Sequence, residues 1–262
     1  MTLTLGSGPL ASNPVGDVNF DLTGAPRHRI LFEDFPRRMR AIVGERTVLD
    51  SSRGKLLHES NIHPVYYAPI GDFDSELLVD SEATSHCPFK GDAAYWSLEV
   101  DGARIDDAVW YYPQPTAEAP WLEGYAALYW ERADLWLQED EPVHGALRDP
   151  YHRVDVYESS RPVRVTLNGT VIAQSDRPKM LFETGLPPRP YLLRSDVAAG
   201  VLAPSDSTSW CPYKGGATYW NITTAERTLA DGAWSYESPL PEALKAEGHV
   251  SIDGEGIETI LG

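Results

Sequence analysis

A mainly β fold, built as two tandem copies of a small bent-sheet or barrel-like β domain with short helical turns, is what this sequence predicts. The first observation is a duplication: shifted by 124 positions, the second half of the 262-residue chain falls on the first without a gap. The second is a run of short segments that alternate apolar and polar residues and end in turn residues. The third is the frequency of turn formers, 21 Gly and 21 Pro, spread between those segments. Short strands with frequent Gly and Pro breaks favour a small sheet or barrel over helices.

The duplication is densest at Thr84, Ser85, Cys87, Pro88, Lys90, Gly91, Ala93, Tyr95 and Trp96, which match Thr208, Ser209, Cys211, Pro212, Lys214, Gly215, Ala217, Tyr219 and Trp220. The same shift pairs His28-Arg29 with His152-Arg153, and Glu59 with Glu183. It also pairs Tyr67 with Tyr191, Asp72 with Asp196, Asp107 with Asp231 and Trp110 with Trp234. The boundaries read as an N-terminal arm over 1–26, expected to be flexible, and a first repeat over 27–137. An acidic linker follows over 138–150, then a second repeat over 151–262.

Taken in order, Met39–Val43 and Thr47–Leu49 read as strands joined at Gly44-Glu45. A single helical turn is expected from Asp72 through Leu77. Tyr95–Val100 is a strand that ends at Asp101-Gly102. Ala126–Leu128 reads as a late strand. In the second copy Val163–Leu167 alternates with period two, and Val171–Ala173 returns. Asn168-Gly169 between them supplies the two positive-φ residues of a tight hairpin turn. Pro241–Ala246 suits a helical turn with Pro near its start, and Val250–Ile252 closes the copy.

Thirty-nine acidic residues against 22 basic ones give a formal charge of −17. Such a surface repels phosphate backbones and anionic lipid, so no nucleic acid and no membrane is expected as partner. No apolar run reaches the ~18–20 residues needed to cross a bilayer. Met1–Phe20 lacks the basic start and apolar stretch of a secretory signal, and a cytoplasmic location is expected. Cys87 and Cys211 occupy the same place in separate copies, which favours free thiols. No metal site and no cofactor is expected, because no Cys or His set has ligand spacing. Oligomeric state is not written in the pattern.

Thr84-Ser85-His86-Cys87-Pro88-Phe89-Lys90-Gly91, followed by Ala93 and Tyr95-Trp96, resembles the signature of the domain of unknown function 427 family. Asp149-Pro150-Tyr151-His152-Arg153-Val154-Asp155, with Glu183, Pro188, Tyr191 and Asp196, is similar to that family too, so the resemblance covers both copies. It implies a compact β-rich domain, found singly or in tandem, with no assigned activity. A nucleotidyltransferase label is sometimes attached to it. Asp72-Phe73-Asp74 resembles a magnesium-holding carboxylate pair, but Ala198 replaces Asp74 in copy two and no phosphate-cradling loop is present. Copy two also departs from copy one in having Trp210 for His86 and Leu193 for Pro69.

The residues leave two functional readings open, beside a plainer third in which the chain is a structural or interaction module and the signature serves only the fold. In one, each signature borders a pocket for a small polar or aromatic molecule. Tyr67, Phe89, Tyr95, Trp96, Trp110 and Tyr112 would wall it; Lys90, His86 and Glu59 would orient the ligand; Asp72 would stand near. Tyr191, Glu183, Cys211 and Lys214 are the second-copy counterparts. In the other, copy one is an enzyme. Cys87 or His86 would act on a polar substrate, Lys90 would stabilise negative charge and Glu59 would move protons. Each has a plainer counterpart: Cys87 as a buried small residue, and Lys90 as the partner of a carboxylate such as Glu59 or Asp72. Neighbouring side chains of a regular strand face opposite ways, so a His86–Cys87 pair requires a break at Pro88.

Overall fold

The computed structural model describes residues 3–6, 8–12, 19 and 24–262. The chain forms two compact units, Leu3–Asp149 and Pro150–Gly262. The first contains β1 (Ile30–Asp34), β2 (Met39–Val43), β3 (Arg46–Ser51), β4 (Lys55–Glu59), β5 (Ile62–Pro69), β6 (Leu78–Cys87), β7 (Gly91–Val100), β8 (Ala103–Tyr111), β9 (Tyr125–Leu128), β10 (Leu135–Gln138) and β11 (Glu141–Val143). The second contains β12 (Val154–Glu158), β13 (Val163–Leu167), β14 (Thr170–Ser175), β15 (Lys179–Glu183), β16 (Arg189–Leu193), β17 (Leu202–Cys211), β18 (Gly215–Thr223), β19 (Thr228–Tyr236), β20 (His249–Ile252) and β21 (Ile257–Leu261).

Each unit stacks a large sheet on a small one. The large sheets run β1-β4-β5-β9-β8-β7-β6 and β12-β15-β16-β20-β19-β18-β17, the same order twice. The small sheets run β11-β10-β2-β3 and β14-β13-β21. All pairings are antiparallel, and β1 and β6 remain unjoined ends, so the bent-sheet form is realised and the barrel is not. The helical pieces are all 3-10 turns of three to six residues, none long and apolar enough to cross a membrane among the described residues.

The large sheet of the first unit is buried on both faces, which explains its paired apolar residues. Leu56, Tyr66, Leu98, Val109 and Leu128 face the small sheet and meet Met39, Ala41, Leu49 and Trp136. Their neighbours Leu57 and Tyr67 face the other way, with Ala93 and Tyr112, under the 3-10 turn Pro120–Leu122. The second unit repeats the division.

The turn chemistry follows the residues. Asn168 and Gly169 take φ of 49° and 85°, and Asp101 and Gly102 take 51° and 82°, the paired positive angles of a tight hairpin. Pro241–Ala246 is helical as expected. The turn expected from Asp72 through Leu77 is displaced. Helical hydrogen bonding covers Ile70–Asp72, and Phe73 already bridges Leu49. The apolar Phe73 belongs to the core between the sheets, and burying it pulls the chain out of a helix. Two other segments carry more structure than their composition suggests. Within the acidic linker, Glu141–Val143 adds β11 to the edge of β10. In the N-terminal arm the Leu10 carbonyl accepts from Ser60, and the Ala11 carbonyl accepts from Arg29.

Candidate functional site

The signature is a hairpin tip. Cys87 ends β6, Gly91 starts β7, and the two pair across the ladder. The Lys90 amide donates to the Cys87 carbonyl at 3.2 Å, closing a turn whose second residue, Pro88, already has the φ the turn needs. Gly91 follows at φ +105°, and a Cβ there would stand 3.2 Å from the Gln114 carbonyl oxygen. Cys-Pro-aromatic-Lys-Gly is therefore first a recipe for a tight turn packed against the chain at Gln114–Thr116.

Lys90 is swung inward. Its Nζ donates to Glu59 Oε2, and His28 Nε2 donates to Glu59 Oε1 at 3.0 Å. The His28 ring stacks on Phe89 at 4.1 Å, and the Lys90 ammonium sits 5.8 Å from the Tyr112 ring centre. The Lys90 and Glu59 side chains are 11% and 5% exposed. Repeat 2 builds the same triad: Lys214 donates to Glu183 Oε2, His152 donates to Glu183 Oε1 at 3.0 Å, and His152 lies 4.1 Å from Tyr213. Burial would push the Glu183 carboxyl up, but the hydrogen bonds from His152 and Lys214 outweigh it and hold the group at about 2. Sequence reasoning paired His28 with His152 as an identity without giving either a role.

Cys87 is half-buried and packs on the Tyr67–Tyr112 face; Cys211 is half-buried too, and both thiols are free. His86 points elsewhere. Its Nδ1 meets Asp92 at 2.6 Å, directly across the ladder, and its side chain is 67% exposed. β6 runs unbroken through both residues, so the break that a His86–Cys87 pair requires does not occur. In repeat 2 the same cross-strand pair is Trp210 and Gly216, with the indole lying over the glycine. Histidine with aspartate in one copy and tryptophan with glycine in the other are two solutions to covering one edge.

The expected aromatic wall divides between the two faces of the large sheet. Tyr95 and Trp110 are cross-strand partners on the Cys87 face. Trp110 Nε1 donates to the Tyr67 hydroxyl at 2.9 Å, as Trp234 does to Tyr191 at 3.0 Å. Burial pushes the Tyr191 hydroxyl up to about 12, and Tyr67 and Tyr112 are driven upward by the same cause. Trp96, next to Tyr95 in β7, faces the small sheet and stacks on Tyr111 at 3.9 Å. Asp72 makes its contacts away from the signature residues: it accepts from Ser51 at 2.6 Å and pairs with Arg53. Asp74 pairs with Arg46 at 3.1 Å, so the two carboxylates read as a metal pair are held by separate arginines. In repeat 2, Ser175, Arg177 and Asp196 instead border an open cleft of about 540 Å³.

A second cleft lies in repeat 1, on the strands leading to the signature turn. It has a volume of about 350 Å³ and is lined by Ala83, Thr84, Tyr95, Asp107, Tyr129, Glu131 and Arg132. Tyr95 shares a hydrogen bond with the Ser85 hydroxyl at 2.8 Å. The Tyr129 ring packs on Trp110 at 4.4 Å. Burial, and next the neighbouring Tyr95 hydroxyl, push the Tyr129 hydroxyl up to about 12, so it stays protonated at neutral pH. A β-bulge forms the floor. The β6–β7 register shifts between Asp80 and Thr84, and Asp107 adopts φ 52° with its amide donating to Ser97 at 3.2 Å. Of these residues only Tyr95 has a site role in the sequence; Thr84 and Asp107 stand out there as repeat matches, Thr84 within the signature as well. The available signal was divergence: Tyr129 and Arg132 stand where copy two has Asp253 and Gly256. There Asp253 pairs with Arg189 at 2.9 Å, and the Arg189 guanidinium covers Trp234 at 4.9 Å.

Two open sheet pairs in tandem, each with a buried His–Glu–Lys triad under a thiol-bearing hairpin, define a duplicated all-β protein. Residues 31–139 and 155–261 each match the family described as Domain of unknown function (DUF427), and the chain belongs to that family in a two-copy form. No curated protein matches the chain.

Proposed function

We propose that this protein binds a small polar or aromatic molecule in the repeat 1 cleft beside the signature hairpin. The observation that carries the reading is the pair Tyr95 and Tyr129, two phenol rings that border one cleft also lined by the polar Arg132, Glu131 and Asp107. Aromatic walls with a few placed polar groups are what small-molecule sites are made of. The signature residues act as support. Lys90 and Glu59 are engaged with each other and with His28, and they fix the hairpin on which Thr84 and Tyr95 ride.

Trp110 reports on this site because it packs against Tyr129. Titrating a panel of phenols, aromatic acids and aromatic amines against the full chain should give a saturable change in tryptophan fluorescence for at least one class. Tyr129→Ala should abolish the response and Cys87→Ser should preserve it. A response that survives Tyr129→Ala removes the cleft as the site, and one that requires the Cys87 thiol returns the chemistry to the signature.

A further inference from the structure

The two copies hold the same bulge aspartate differently, and the difference opens onto the cleft. In repeat 2, Asp231 takes φ 52° and accepts two hydroxyls, Ser205 on Oδ1 at 2.5 Å and Ser207 on Oδ2 at 2.7 Å. Those bonds hold its carboxyl below the usual aspartate range. In repeat 1, Asp107 has the same φ and accepts Ser81 on Oδ1 at 2.5 Å. The counterpart of Ser207 is Ala83, which has no hydroxyl, and Oδ2 of Asp107 carries no hydrogen bond among the described residues. Both Ala83 and Asp107 line the cleft. A carboxylate oxygen without a protein donor, lining one cleft with two phenol rings, suits a cation. The charges agree. Among the lining residues Glu131 and Arg132 carry opposite formal charges, which leaves the charge of Asp107 as the balance.

We propose that the cleft selects aromatic amines, with the ring against Tyr95 and Tyr129 and the ammonium on Asp107 Oδ2, and that Ala83 is the residue that leaves this oxygen open. The proposal rests on the cleft reading and adds the ligand class. A charge-assisted hydrogen bond is the stronger kind, and at a site of this sort it is expected to separate the amine from its neutral analogue by about tenfold or more in affinity.

The test is calorimetric titration of the full chain with tyramine and with p-cresol, which shares the phenol ring and lacks the amine. Wild type should bind tyramine about tenfold more tightly or better. Ala83→Ser installs the hydroxyl that repeat 2 already carries at this position, so the fold accommodates it. It should bring tyramine down to the p-cresol level and leave p-cresol unchanged. Asp107→Asn, which keeps a side chain tolerant of positive φ, should do the same. Equal affinity of the two compounds for wild type, or an amine preference that survives Ala83→Ser, overturns the amine assignment while the cleft still binds a ring. If neither compound binds wild type, the amine assignment falls, and the cleft reading loses its polar-aromatic ligand as well.

Discussion

Glu59 and Glu183 each answer to two cationic or donor side chains, and that sharing sets their cost of removal. Breaking one partner from a buried ion pair leaves a charge without compensation, worth ~3–5 kcal/mol. Lys90→Met should therefore lower the urea-derived stability by an amount in that range, and Lys214→Met should do likewise in repeat 2. The pH dependence has a definite sign. Glu183 titrates at about 2 in the fold against an ordinary 4.5, so the unfolded chain binds its proton first as pH falls. Its contribution is complete above about 4.5 and is lost as pH drops toward 2. The stability gap between wild type and Glu183→Gln, measured by urea unfolding, should shrink across that window and stay constant from pH 5 to 7. At this scale the sequence was legible in part. Glu59 and Lys90 stood out because both copies keep them, and an ion pair was among their readings. His28 went without a role because nothing in local spacing brings residue 28 to residue 59. That takes the β1–β4 pairing, which sets Ile30 against Glu59.

The hairpin between β6 and β7 has a structural reason for its motif. Its identical residues are largely those the turn requires, and Gly91 makes the strictest demand. Gly91→Ala places a Cβ 3.2 Å from a backbone carbonyl at φ +105° and should cost ~1–3 kcal/mol. Gly102→Ala, at φ +82° with open space around it, should cost only about 1 kcal/mol. Thermal unfolding of the two variants distinguishes a crowded turn from a merely left-handed one. The cross-strand edge pair makes a related forecast. His86→Trp with Asp92→Gly transplants repeat 2's arrangement, and it should leave both thermal stability and ligand response close to wild type. Strands and tight turns were well forecast by alternation and by Asn-Gly and Asp-Gly pairs, because both signals are local. The short 3-10 turn at Ile70–Asp72 was misplaced because the burial of Phe73, a long-range event, decides where the helix stops. Tyr95 and Trp96 were placed on one wall although strand geometry puts adjacent residues on opposite faces.

Across the whole chain, identity between the copies follows the shared architecture, and the cleft of copy one mixes matched positions, Thr84, Tyr95, Asp107 and Glu131, with divergent ones. The repeated residues built the same sheet order twice. The Tyr129 and Arg132 positions, which have no match in copy two, line the cleft in copy one. Matched positions alone recovered the architecture and led to Cys87 and Lys90, at the hairpin tip that the strands bordering the cleft lead into. The repeats also supply an internal control. Trp110 and Trp234 are equivalent and make equivalent indole hydrogen bonds to Tyr67 and Tyr191, yet Tyr129 covers one and Arg189 the other. The most direct measurement is a heteronuclear NMR titration of the full chain with tyramine, following the assigned indole N–H signals. The Trp110 signal should move saturably with one equivalent per chain while the Trp234 signal stays in place. Movement of both signals together, or a shift at Trp234 with Trp110 unmoved, would contradict a ligand site confined to the first repeat.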